Sequence, residues 1–220
     1  MDMPAARQNI HITKMPDNTL TYPLITISRL RIGLDGVGVT SLIAGAGCPL
    51  RCRWCLNKKL LQEAPSKPVT AEQLIDMVKI DDLYYRATGG GITFGGGESL
   101  LHADFILRFR ELCPAEWNIS AETSLAVPEK NVRTALKAVN DFIVDCKDLD
   151  PVTYRNYTGG DPELMRENLQ ILLDEAGPER VLVRVPLIPE YNTQADQQHS
   201  AELLKQMGFT RLDLFPYVVR

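Results

Sequence analysis

The sequence has no apolar run of about 18 residues, the length that a membrane-spanning helix needs. Its first ten residues also lack the apolar core of a secretory signal peptide. The 24 basic residues are scattered, and 28 acidic residues outweigh them, so the formal net charge is −4. We therefore expect a cytoplasmic protein that binds neither membranes nor nucleic acids.

Histidine and cysteine are also scarce. The three histidines, His11, His102 and His199, lack the paired spacing of a zinc finger. The five cysteines cannot all pair within one chain, because their number is odd. Three of them lie within eight residues, whereas Cys113 and Cys146 are isolated. In a chain without an export signal, such a cluster indicates a metal or catalytic site before it indicates disulfides.

What the chain does have is an alternation of short apolar runs and helix-like segments, which begins near residue 39. Continuous apolar strands are typical of a parallel sheet that is covered on both faces. Six alternations predict an α/β fold, a partial (β/α)6 barrel of the TIM-like kind. The predicted strands are Val39–Ala44, Gly91–Phe94, Trp117–Glu122, Asp141–Cys146, Arg180–Val185 and Leu212–Phe215. The predicted helices cover roughly 71–86, 103–112, 129–139, 163–175 and 194–207.

The first 38 residues do not follow this alternation. Apolar runs at 10–13 and 20–27 flank a Met-Pro-Asp-Asn turn, which predicts a short β-hairpin. We therefore expect an N-terminal hairpin extension over residues 1–34 and a core domain over residues 35–220. In such barrels the chemistry gathers at the carboxyl ends of the strands, so unusual polar residues are expected there.

The segment Gly45–Lys59 follows the first barrel strand and contains Cys48, Cys52 and Cys55 in a Cys-x3-Cys-x2-Cys spacing. Glycines before the first cysteine and a proline after it favour a loop. Structural zinc usually takes four ligands, whereas a four-iron cluster held by three thiolates keeps one iron open. A zinc site completed by a distant residue, and three unrelated cysteines, are the alternatives that the spacing leaves open.

With Trp54 before its last cysteine, this segment resembles the signature of the radical S-adenosylmethionine (SAM) superfamily. The resemblance implies a radical SAM barrel and a [4Fe–4S] cluster on the three cysteines. It also implies that SAM binds the open iron through its amino and carboxylate groups. In that family, reduction of the cluster cleaves SAM to methionine and a 5′-deoxyadenosyl radical, which removes hydrogen from a substrate.

Further motifs follow in the order of that family. Gly96, Gly97 and Glu98 come after an Ile-Thr-Phe strand and are similar to the Gly-Gly-Glu motif that lines the methionyl end of SAM. A phosphate loop would need Gly-Lys-Ser/Thr or an opening G-x-G-x-x-G, neither of which is in frame, and a flexible turn is the plainer alternative. Glu122 and Thr123 stand where the glycyl-radical branch has Asp-Thr, which implies contact with the SAM amino end and with a monovalent cation.

The next strand ends in a similar motif. Asp145 and Lys147 resemble the Asp-x-Lys motif of activating enzymes, which contacts the ribose and carboxylate of SAM, and Lys147 is assigned a catalytic role with the cysteines on this resemblance. Side chains two apart in a strand share a face, so Cys146 is predicted to be a packed core thiol. A simple ion pair is the alternative for the two charged residues. Asn57 and Arg184 complete the predicted SAM site.

Over about residues 35–217, these motifs are most similar to the glycyl radical enzyme activating enzymes, of the pyruvate formate-lyase activating kind. The resemblance implies an oxidoreductase that takes hydrogen from a glycine of a protein partner and receives electrons from a flavodoxin or ferredoxin. One departure is Leu56 in place of the histidine that precedes the asparagine in that branch. Three other classes stay open: a radical SAM enzyme of small molecules or peptides, a non-catalytic relative that binds cluster and SAM, and a zinc-binding module.

Overall fold

The structure is a computed structural model that describes residues 20–217 of the 220-residue chain. The strands are β1 Tyr22–Ile32, β2 Val39–Gly45, β3 Lys67–Val69, β4 Gly91–Gly96, β5 Asn118–Thr123, β6 Asp141–Asp145, β7 Val181–Leu187 and β8 Arg211–Pro216. The helices are α1 Lys58–Glu63, α2 Ala71–Val78, α3 Asp82–Thr88, α4 Ala103–Leu112, α5 Glu129–Ala135, α6 Pro151–Thr158, α7 Pro162–Ala176 and α8 Gln194–Met207. Short 3-10 turns occupy Lys79–Asp81, Ser99–His102 and Pro178–Arg180.

The described strands form one curved sheet in the order β3-β1-β2-β4-β5-β6-β7-β8. Strand β2 and the five strands from β4 to β8 run parallel to one another. Within residues 20–217, β3 and β8 lie at opposite ends of the sheet and do not pair, so the barrel is open. The predicted α/β fold with a partial six-unit barrel is confirmed.

The N-terminal part of the described chain extends the sheet. Strand β1 pairs antiparallel with β2, and β3 pairs antiparallel with β1 on its other side. The second apolar run of the predicted hairpin thus forms β1, whereas the first run and its turn lie outside the described residues. The predicted division at residue 34 stays a prediction.

One predicted helix is interrupted. Helix α2 begins at the capping box of Thr70 and Gln73 and ends at Val78, where a 3-10 turn precedes α3. The turn contains Asp81, which is buried and accepts a hydrogen bond from Arg29 Nε of β1 at 2.6 Å. The interruption of the predicted helix therefore coincides with a buried, paired carboxylate. Strand β3 and helices α1 and α6 were not predicted.

The hydrophobic core lies between the sheet and its helices, whereas the barrel interior is more polar. Ile92 and Phe94 of β4 are fully buried in that core. The ring of Phe94 packs edge-on against Phe109 of α4, with 5.4 Å between the ring centroids. Thr93 lies between the two core residues, and its hydroxyl donates to the carbonyl of Asp35. Since side chains alternate along a strand, this packing directs every second residue into the barrel.

Candidate active site

The loop between β2 and α1 carries the three clustered cysteines. Cys48, Cys52 and Cys55 are free thiols, and each is half-buried. The pKa of Cys52 is raised to about 11, chiefly by burial. The charges of Cys48 and Cys55 also raise this pKa, whereas that of Lys147 lowers it. The three thiols and this ammonium group therefore share one local environment.

The glycine loop after β4 packs directly on the cysteine loop. Gly97 N–H donates to the Gly45 carbonyl at 3.0 Å. Asn57 Nδ2, two residues after the last cysteine of the cluster, donates to the Gly96 carbonyl at 2.7 Å. A Cβ atom on Gly97 would lie 2.1 Å from the Gly47 carbonyl oxygen, so only glycine allows this approach. The two predicted motifs thus form one continuous backbone surface.

The carboxylate of Glu98 is buried and accepts four hydrogen bonds. Thr123 Oγ1 and Leu100 N donate to Oε1 at 2.6 and 3.1 Å, and Ser124 Oγ and N donate to Oε2 at 2.6 and 2.8 Å. Burial raises the pKa of Glu98, and the donors of Ser124 and Thr123 oppose that rise. Leu125 N also donates to the Thr123 hydroxyl at 2.9 Å. The side chains of Glu98 and Thr123 are therefore already hydrogen-bonded within the protein. Their predicted contact with SAM stays a prediction.

Glu122 and Arg184 form an ion pair inside the barrel, 2.9 Å from Oε1 to Nη1. Arg184 also donates to the Leu34 carbonyl at 2.7 Å, and its Nε lies 4.0 Å from a carboxylate oxygen of Asp213. The pKa of Glu122 is raised, first by burial and then by Asp145, whereas Arg184 acts in the opposite direction. Glu122 is therefore a largely buried carboxylate that pairs with the Arg184 guanidinium.

Asp145 and Lys147 form a second ion pair, 3.0 Å between Oδ2 and Nζ. The Lys147 side chain is only 13% exposed. Burial acts to lower its pKa, but Asp145 and Cys52 together hold it above the ordinary value. The intervening Cys146 is fully buried in the core, and burial raises its pKa to about 12. The two charges thus share one face while the thiol lies on the other.

Trp54 is half-buried, and its backbone is held by two residues that the sequence analysis missed. Its carbonyl accepts hydrogen bonds from the hydroxyls of Tyr157 and Tyr217. Its indole N–H is buried without a partner among the described residues. The position of Tyr217, two residues after the last predicted strand, was a usable signal. Tyr157 gave none, because helix α6 was not predicted.

The predicted site residues converge on one edge of the sheet: they lie at or after the carboxyl ends of β2, β4, β5 and β6, and Arg184 lies in the middle of β7. Arg184 is the residue level with Asp145, the last residue of β6. In the described part of the chain, no group of three or more His, Cys, Asp and Glu side chains is placed to hold a single metal ion.

Three thiols fit a [4Fe–4S] cluster by number and by chemistry, because thiolates are its usual ligands and three of them leave one iron free. The unpartnered indole N–H of Trp54 is a polar group that a bound molecule can satisfy, and the half-buried Gly96 and Gly97 have no side chains to obstruct one. The residues present therefore fit the cluster and a polar ligand beside it.

Comparisons with known proteins agree with this geometry. The profile of the radical SAM superfamily matches residues 42–212. Indoleacetate decarboxylase activating enzyme of Tractidigestivibacter scatoligenes is 30% identical over 76% of this chain, and the match spans 55% of that protein. Pyruvate formate-lyase 2-activating enzyme of Escherichia coli strain K12 is 26% identical over 83% of this chain and 73% of its own length.

The fold is also that of solved structures. The structure of Streptococcus suis SuiB bound to precursor peptide SuiA matches with a TM-score of 0.62 and 11% identity, over 80% of this chain and 38% of that one. Among the described residues, no helix has both the length and the apolar character needed to cross a bilayer. The family profile covers most of the chain and includes the cysteine loop, the glycine loop and both ion pairs. The chain therefore belongs to the radical SAM superfamily.

Proposed function

We propose that this chain is a radical SAM oxidoreductase of the activating-enzyme kind, which installs a glycyl radical on a partner protein. The observation that carries the proposal is that backbone hydrogen bonds join the cysteine loop to the glycine loop. Besides the Gly97 bond, Glu98 N–H donates to the Gly47 carbonyl at 2.8 Å. The two loops therefore form one surface, which offers three thiols for a cluster and a glycine backbone without obstructing side chains for the methionyl end of SAM.

The names of the relatives support the narrower assignment. Both curated relatives described above are activating enzymes by name. The chain spans only about half the length of the first, so the activity, substrate and partner of the whole protein are proposals. When bound, the cluster and SAM supply a one-electron cleavage of a sulfonium C–S bond, which gives methionine and a 5′-deoxyadenosyl radical.

In this proposal the chain itself binds and orients the reactants. Cys48, Cys52 and Cys55 hold the cluster, and Asn57 fixes the direction of the Gly96 carbonyl. Because this carbonyl accepts a hydrogen bond from Asn57, the glycine loop is held in one conformation before SAM binds. The indole N–H of Trp54, in the cysteine loop, is buried and has no partner among the described residues.

The two ion pairs provide charge for a zwitterionic ligand. The ammonium group of Lys147 can bind the SAM carboxylate, while Asp145 and Glu122 can accept from the ribose hydroxyls and the amino group. Since both pairs are partly shielded from water, their interactions with a ligand are stronger than at an exposed surface. Arg184 keeps Glu122 oriented and neutralised in the meantime.

The remaining parts of the proposal concern partners. We propose a glycyl radical enzyme as the protein substrate and a flavodoxin or ferredoxin as the source of the electron. A monovalent cation beside Glu122 has a competitor in the chain, because the Arg184 guanidinium lies 2.9 Å from that carboxylate. We therefore expect exchange of Na⁺ for K⁺ to have little effect on SAM binding.

The test is anaerobic reconstitution with iron and sulfide, followed by reductant and SAM. The wild-type chain should form 5′-deoxyadenosine, and Cys52→Ala should form none. Cys113→Ala is the matched control, since this thiol is buried against α4 and far from the loop in sequence. Spin resonance of a co-encoded candidate partner should then show an organic glycyl radical.

Each alternative class gives a different outcome. An enzyme that acts on small molecules or peptides would form 5′-deoxyadenosine without a radical in any partner protein. A non-catalytic relative would bind cluster and SAM but leave SAM intact under strong reductant. A zinc module would purify colourless, with zinc in place of iron.

A further inference from the structure

Helix α6 holds the cysteine loop by its backbone. Arg51 N–H donates to the Thr158 carbonyl at 2.7 Å, and Arg53 N–H donates to the Tyr157 carbonyl at 3.1 Å. The last carbonyls of a helix have no partner within the helix, so the loop satisfies them. Because Arg51 and Arg53 flank Cys52, this contact fixes the backbone on both sides of the middle thiol.

Two tyrosine hydroxyls fix the next part of the loop. Tyr217 donates to the carbonyl of Trp54, and Tyr157 donates to the same oxygen at 3.5 Å. This carbonyl belongs to the peptide unit that joins Trp54 to Cys55. The last cysteine of the cluster therefore directly follows a carbonyl group that accepts two hydrogen bonds.

Both tyrosines are themselves held rigidly. Tyr157 is 1% exposed and Tyr217 is 9% exposed. The ring of Tyr157 packs edge-on against Tyr191, with centroids 5.0 Å apart, and the backbone N–H of Tyr217 donates to the Leu187 carbonyl at 2.8 Å. The residue that follows β8 thus contacts the loop that follows the first barrel strand, across 163 residues of sequence.

We propose that Tyr157 and Tyr217 are positioning residues that hold the cysteine loop in its cluster-binding conformation through the carbonyl of Trp54. The inference rests on the proposed function, because it assigns these residues to the same cluster. A loop without regular secondary structure loses conformational entropy when it is ordered, so a loop that is already fixed binds its ligand more tightly. Groups that orient metal ligands typically change metal affinity by about 10- to 100-fold when they are removed.

The same helix offers a matched control. Tyr154 of α6 is fully buried, and its hydroxyl has no partner among the described residues. Tyr154→Phe therefore removes a buried hydroxyl from α6 without removing a bond to the cysteine loop. Tyr157→Phe and Tyr217→Phe each remove one donor to Trp54 and leave the aromatic ring in place.

The experiment compares these full-length variants after anaerobic reconstitution. Iron and sulfide per chain, the rate of iron loss to excess ferrous chelator, and the spin resonance spectrum of the reduced cluster are measured. For Tyr217→Phe we expect roughly tenfold faster iron loss and an altered spectrum, with a smaller effect for Tyr157→Phe. Tyr154→Phe should match the wild type in both readouts.

Two results would overturn the inference. Wild-type release rates and spectra in both tyrosine variants would show that the hydroxyls do not act on the loop. Equally fast loss in Tyr154→Phe would show a general loss of packing in α6. Should Tyr217→Phe fail to fold, Tyr157→Phe carries the test. A wild-type chain that takes up no iron–sulfur cluster would instead refute the proposed function itself, which separates the two failures.

Discussion

Arg184 and Glu122 meet across an intervening strand. Arg184 lies on β7 and Glu122 on β5, and their charged groups come within 2.9 Å over the interior face of β6. Neither residue is near the other in sequence, and each side chain is about one-fifth exposed, at 20% and 22%. The pair therefore ties three neighbouring strands together at the level where a ligand is proposed to bind.

Replacing Arg184 with methionine should lower the free energy of unfolding of the cluster-free chain by roughly 1–3 kcal/mol. The loss arises because Glu122 would remain partly buried without its cationic partner. Urea denaturation measures it. The control is Lys79→Met, which breaks an exposed pair with Asp76 and should cost less than about 1 kcal/mol. Equal losses in the two variants would contradict a special role for the interior pair.

Glu98→Ala should destabilise the chain even when cluster and SAM are absent, by roughly 2–4 kcal/mol. The reason is that the hydroxyls and N–H groups that now bond to this carboxylate would lose their acceptor. Thermal or urea unfolding of the apo chain gives the value. Glu111→Ala is an exposed control that should stay within about 0.5 kcal/mol of wild type. If Glu98→Ala unfolds like the wild type and weakens only SAM binding, the carboxylate contacts SAM instead.

Gly97→Ala should be more disruptive than alanine at another glycine. The added Cβ would lie 2.1 Å from the Gly47 carbonyl oxygen, so the two loops would have to separate. We expect the free energy of unfolding to fall by about 3 kcal/mol. Gly33→Ala is the comparison, because Gly33 has φ +67° but no atom within 4 Å of a Cβ. Gly33→Ala should lower the free energy of unfolding by about 1 kcal/mol, from backbone strain alone. Similar losses would show that the close approach of the loops is unimportant.

Asp150 caps helix α6 and gives a pH-dependent prediction. Its carboxylate accepts from Val152 N at 3.1 Å and Thr153 N at 2.7 Å. Asp150→Ala should cost about 1 kcal/mol at pH 7, whereas Asp150→Asn keeps an acceptor and should cost less. Denaturant titrations of the apo chain at several pH values measure both.

The sign of the pH effect follows from the pKa. The backbone N–H of Thr153 holds the pKa of Asp150 below its ordinary value of 3.8. A lowered pKa adds stability that is present above the ordinary value and lost as the pH falls through the folded-state value. The advantage of the wild type over Asp150→Ala should therefore shrink in acid, while that of Asp150→Asn over Asp150→Ala stays constant. If the stability advantage of the wild type over Asp150→Ala did not change with pH, the N-cap role of the Asp150 carboxylate would be contradicted.

The barrel strands were predictable because their information is local. The parallel strands are short runs bounded by polar turn residues, and apart from the edge strand β8 they are largely buried. The cap at Thr70 and the helix ends at Gly177 and Gly208 are equally local, since each depends on one residue and its neighbours. The cysteine spacing likewise lies within eight residues of sequence.

Helix α6 was missed because its apolar residues do not form a clear stripe in eight residues. Its signals were Asp150 at the N-cap, Pro151 in the first turn and Gly159 at the end, where the glycine has φ +70°. At the break in the predicted helix over 71–86, Asp81 bonds to Arg29, which lies 52 residues away. Such bonds have no signature in the local pattern.

The amino-acid sequence alone determined the six-strand barrel, the trio of cysteines and the order of the motifs, because hydrophobic periodicity and ligand spacing are properties of neighbouring residues. Only the tertiary structure decided which polar groups are already occupied. In the folded chain, Thr123 and Ser124 donate hydrogen bonds to the Glu98 carboxylate. Glu122 pairs with Arg184, and the Tyr217 hydroxyl donates to the carbonyl of Trp54. These partners are set by strand order and barrel curvature, which bring together residues far apart along the chain.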